Sequence, residues 1–250
     1  VNECSATSRC EMGACLDRCG LAESNNSYIG CEYWAVELEN HLLNSGEEVP
    51  LPPENRPPFA IVLSNPSETF DARITVYSDE GVVAEAMESR EVGTDVPLPG
   101  TDLVTVESEV IGPFGRQLFT IDGPVEDIVL PRGSLMTLVM PFREIPFAES
   151  TVTRTAYRVV STEPVVAYQF NPLCCNYNFT NDASLLLPTS ALTGNYRFMS
   201  YAVFAGTPSA RLADPFAATL TVVATEPDTQ VNVQLNNSAG RPFEDLLYPA

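Results

Sequence analysis

Thr155–Tyr201 reads TAYRVVSTEPVVAYQFNPLCCNYNFTNDASLLLPTSALTGNYRFMSY, and it is the densest run of core-grade residues in the chain. Two apolar strands are expected to meet at a Thr162-Glu163-Pro164 turn, followed by a polar loop that carries adjacent cysteines. Tyr157 and Val159 form the inward row of the first strand, with Arg154 and Arg158 facing solvent. In Val165–Phe170 both faces are apolar apart from Gln169, which fits an interior strand buried on two sides. Pro164 is placed at that strand's first residue, where a missing N–H is tolerated. A helical turn is expected over Thr189–Leu192, with Gly194 suited to end it.

Working outward, short strand patterns recur at Phe59–Leu63, Ala72–Tyr77, Val82–Ala86, Val104–Val110, Gln117–Ile121, Glu126–Leu130, Ser134–Met140, Ser184–Leu187 and Tyr196–Phe204. Pro99-Gly100, Gly112-Pro113, Asp122-Gly123-Pro124 and Arg132-Gly133 punctuate them. Such spacing, with hardly a helical period anywhere, predicts an all-β chain of antiparallel β-sandwich modules. Near the start, Trp34, Val36 and Leu38 are expected on one strand face, with Glu37 and Glu39 opposite. Trp34 reads as core, with an exposed platform for sugar as its functional alternative. Pro50, Pro52, Pro53, Pro57 and Pro58 mark a stiff loop.

The 250-residue chain carries a net charge of −20, and all 13 basic residues are Arg. That balance argues against a nucleic-acid partner, whose phosphates need clustered cations. No apolar run approaches the roughly 18 residues of a spanning helix. The Val-Asn-Glu-Cys start, without initiator Met or signal pattern, reads as a piece of a longer protein.

Five of the seven cysteines fall in the first 31 residues, Cys4, Cys10, Cys15, Cys19 and Cys31, and the other two are the adjacent Cys174 and Cys175. Their spacing contains no C-x2-C knuckle, so disulfides in an oxidising compartment are preferred over zinc. At least one bridge from Cys174-Cys175 to another cysteine is expected, which would tie the leader to the body. The organisation expected is a Cys-rich leader over 1–30, with one helical turn near Met12–Leu16, and a β-sandwich domain over 31–208. A second, related module, cut short, begins at 209. Its basis is the similarity of Phe59–Tyr77 to Phe216–Gln234, each a strand, a polar turn and a second strand.

Catalytic patterns are missing: there is no G-x-S-x-G, and the single histidine, His41, reads as a loop residue. The acidic pairs Glu37/Glu39, Asp79/Glu80 and Glu107/Glu109 read as solvated strand faces rather than glycosidase acids. Weak calcium at Asn178, Asn181 and Asp182, with Asn171 and Asn176 nearby, is the only metal or cofactor reading. Asn and Asp in such loops also serve simply as turn formers. Sequons stand at Asn25, Asn178 and Asn236.

The words TAYRVVSTEPVVAYQFNP, NDASLLLPTSALTGNYRFMSY, GCEYWAVELEN and TLTVVATEPDTQVNV resemble the N-terminal region of the IgG Fc-binding protein family. The leader and the lysine-free composition look like a bacterial member. The resemblance spans most of residues 30–235 and implies a secreted or cell-surface β-rich module of long multidomain proteins. It supplies no residue-level ligand motif. The expectation is a non-enzymatic extracellular module for adhesion or protein interaction, with an extracellular protein or glycan as partner. The alternative is an extracellular carbohydrate-binding or hydrolytic domain.

Overall fold

A computed structural model describes residues 8–11, 14–24, 27–39, 58–79, 81–82, 106–112, 115–121, 125–145, 151–173, 181–199 and 219–234. The leader holds the hairpin β1 (Ser8–Glu11) and β2 (Ala14–Asp17), then α1 (Arg18–Glu23). The body holds β3 (Ile29–Ala35), β4 (Ala60–Ser64), β5 (Ala72–Ser78), β6 (Gly81–Val82), β7 (Val106–Gly112) and β8 (Gly115–Ile121). β9 (Ile128–Leu130), β10 (Leu135–Val139), β11 (Tyr157–Asn171) and β12 (Asp182–Leu185) complete it, with a 3-10 turn at Thr189–Ala191. The all-β class expected from the sequence is what the chain adopts: ten strands form one curled sheet, and every named strand pair is antiparallel.

β11 organises this sheet, and here the sequence reading needs correction. Thr162-Glu163-Pro164 is not a turn between two strands, because Tyr157–Asn171 is one strand of 15 residues. Its first half lies between β3 and β5, and its second half pairs with β4 on one edge and with β3 and β12 on the other. β4 and β5, expected as neighbouring strands across a polar connection, do not pair with each other. They track successive halves of β11. The β3 ladder shifts register between Val160 and Val165, so Pro164 falls at an irregularity where its missing N–H removes no ladder bond. Contacts on both edges override the local turn propensity. The sheet curls about this point, and a strand shared by two halves through a bulge is how such a corner is made.

The inward row of β11 is Tyr157, Val159, Ser161, Glu163, Val165 and Ala167, all buried. Tyr33, Phe59, Ile61, Leu63, Ile74, Val76, Met136 and Leu138 join it in one core cluster from both halves of the sheet. In β3 the inward residues are Tyr33 and Ala35, each 0% exposed, while Trp34 lies on the other row opposite Arg158. The expected Trp34/Val36/Leu38 face is therefore one residue out of phase. Tyr33 supplies more than ring volume: its hydroxyl lies 2.5 Å from the Val165 carbonyl and 3.0 Å from that of Tyr28. A buried hydroxyl is retained where it finds such an acceptor. Glu37, assigned to a solvated face, is buried and accepts a hydrogen bond from the Arg143 N–H at 2.6 Å.

Where the β3 ladder stops, side chains of β11 continue it. The Gln169 amide oxygen accepts from the Val36 N–H at 3.1 Å. Asn171 both accepts from the Leu38 N–H at 3.0 Å and donates to the Leu38 carbonyl at 2.7 Å. Asn171 thus substitutes for a peptide unit at the end of the ladder.

Candidate functional site

The leader is fastened to the sheet at the β11 bend. The expected helical turn near Met12–Leu16 is displaced: Ala14–Asp17 is strand, and the helix follows at Arg18–Glu23. Cys19 of α1 is disulfide-bonded to Cys31 of β3. The Arg18 guanidinium makes a two-pronged ion pair with the Glu163 carboxylate and lies 3.7 Å from the centre of the Phe70 ring. In β1–β2 the backbone register sets Cys10 opposite Cys15. Cys4, Cys174 and Cys175 lie outside the described residues, as do His41 and Asn178. Asn181 and Asp182 are exposed, at and beside the start of β12.

The second feature begins at β12. Its Leu185 stands opposite Tyr168 of β11, and both side chains are exposed. The next residue turns inward: Leu186 packs on the core, and its N–H donates to the Ala167 carbonyl at 2.9 Å. Pro188 is buried against β3, where a Cβ on Gly30 would sit 2.4 Å from the Pro188 Cβ. Glycine is required at that close approach. The 3-10 turn is the helical turn expected at Thr189–Leu192, but it ends at Leu192 rather than Gly194.

Beyond it residues 192–199 are exposed, with Tyr196 at 64% and Met199 at 100%. Residues 196–199 form no strand, and the rest of the strand expected at Tyr196–Phe204 lies outside the described residues. Residues 219–234 keep the expected turn without a ladder between its arms. Asp228 has φ +56°, and the Thr229 hydroxyl donates to the Glu226 carbonyl at 2.7 Å. Val222 and Val231 on the two arms are about half exposed, at 51% and 52%. Of the sixteen large apolar side chains exposed among the described residues, ten lie between Leu185 and Val233.

Elsewhere the perturbed titrations have structural causes. Burial pushes the Tyr33 and Tyr157 hydroxyls far above the ordinary phenol range, with the Glu37 carboxylate adding to the effect at Tyr157. Arg158 grips Glu32 through two hydrogen bonds of 3.0 and 2.9 Å and holds that carboxyl below the usual range. Among the described residues no group of three or more His, Cys, Asp or Glu is placed to hold a metal ion.

No curated protein and no solved structure matches the chain. The family named from the wording of the sequence does match, beyond β11 rather than over the β11 words: residues 182–243 match the family described as IgGFc binding protein.

Proposed function

We propose that this chain is a non-enzymatic, extracellular protein-interaction module, serving adhesion at a cell surface or in a secreted matrix. Its docking face is made by the exposed apolar side chains of residues 185–199 and 219–234. One observation carries this reading: the residues matched to a family of binding proteins are also those where exposed apolar side chains concentrate. Exposed apolar surface in a folded protein marks contact sites, and aromatic and Met side chains are enriched at such contacts. The β11 frame supplies rigidity, and the segment is held to it through Leu186 and Pro188. No described helix is long and apolar enough to cross a membrane.

The test uses the immunoglobulin G Fc fragment as first probe, on wild type and on a Leu187→Ser/Tyr196→Ser double variant. Both residues are exposed, so melting temperature stays within about 2 °C while affinity falls at least about tenfold. Cross-linking of bound partner should map to residues 185–233. Cross-links confined to the opposite end of the sheet, or unchanged affinity in the double variant, would overturn the assignment.

A further inference from the structure

We draw no further inference here: the strongest candidate, the exposed apolar patch of Leu220, Val222, Val231 and Val233 on either side of the turn at Asp228, belongs to the docking face already proposed, and nothing in the structure shows what covers it.

Discussion

Gly30→Ala is the sharpest probe of how the exposed segment is seated on the frame. A Cβ at residue 30 would lie 2.4 Å from the Pro188 Cβ and 2.9 Å from its Cγ, closer than any real carbon contact. Pro188 cannot swing aside, since its ring is fixed to the backbone that enters the 3-10 turn. The strand or the turn must therefore move. Overpacking of this kind costs about 1–3 kcal/mol, offset by about 0.4–1 kcal/mol from the stiffer unfolded chain. A net loss of about 1–2 kcal/mol lowers the melting temperature by about 2–8 °C in a domain of this size. Urea denaturation of Gly30→Ala, Pro188→Gly and the double variant gives the coupling directly. Removing the Pro188 ring relieves the clash, so the double variant should be about 1 kcal/mol more stable than additivity allows. An additive cycle, or a Gly30→Ala protein as stable as wild type, would refute the close packing of β3 on Pro188.

Tyr33→Phe keeps the ring and leaves the Val165 carbonyl without its 2.5 Å partner, so urea unfolding should show a loss of about 1–2 kcal/mol. Glu32→Gln tests the pair with Arg158. The Glu32 carboxyl is held below its unfolded value, so its contribution is present above that value and is lost as pH falls through the folded one. Both partners are part-exposed, which limits the effect to about 0.5 kcal/mol near neutrality, vanishing once the carboxyl is protonated in the folded state as well. A wild type–variant difference that grows on acidification would contradict it. Residues directly opposite in an antiparallel pair have Cα atoms about 4.5–5.5 Å apart, within disulfide reach. Non-reducing peptide mapping should therefore find Cys10 joined to Cys15 beside Cys19–Cys31. A bridge from either Cys10 or Cys15 to Cys174 would refute the pairing.

Strand positions were legible because alternation and turn residues are local signals. Ala72–Tyr77 and Ser134–Met140 agree with β5 and β10 to within a residue at each end. What was not legible depends on partners far away in sequence. Thr162-Glu163-Pro164 carries every local mark of a turn, yet β3, β5 and β4 hold it in a continuous strand. The phase of β3 was misread because Trp34 outweighs Tyr33 on any apolarity scale, while the hydrogen bond that lets Tyr33 enter the core comes from residue 165. The Cys19–Cys31 bridge was one of many pairings the spacing allowed. The exposed apolar side chains within 185–199 and 219–234 were hidden for the opposite reason, because Leu-Leu-Leu-Pro and Thr-Val-Val read as strands.

That last mismatch bears most directly on function. A segment with core composition that stays outside the core exposes apolar area to water, an arrangement that is unfavourable for the isolated chain. Leu186 and Pro188 show that the frame does bury the residues it needs from this segment. Leu185, Leu187, Tyr196 and Met199, from the same run, remain outside. In Leu185–Leu187 the middle residue packs on the core and its two neighbours are exposed. Leu185 is held opposite Tyr168 by the β12–β11 ladder, so a partner meeting it would meet a side chain fixed in orientation by β11. Binding then loses little to ordering this part of the surface, and preorganisation of that kind raises affinity without added area. Exchanging Leu186 for Asp should break this arrangement: stability falls by several kcal/mol as a charge enters the core, and binding is lost with the fold. Leu185→Asp, one residue earlier, should leave unfolding unchanged and weaken binding alone. Equal destabilisation by the two substitutions would show that the division between buried Leu186 and exposed Leu185, and the docking face that includes Leu185, is wrong.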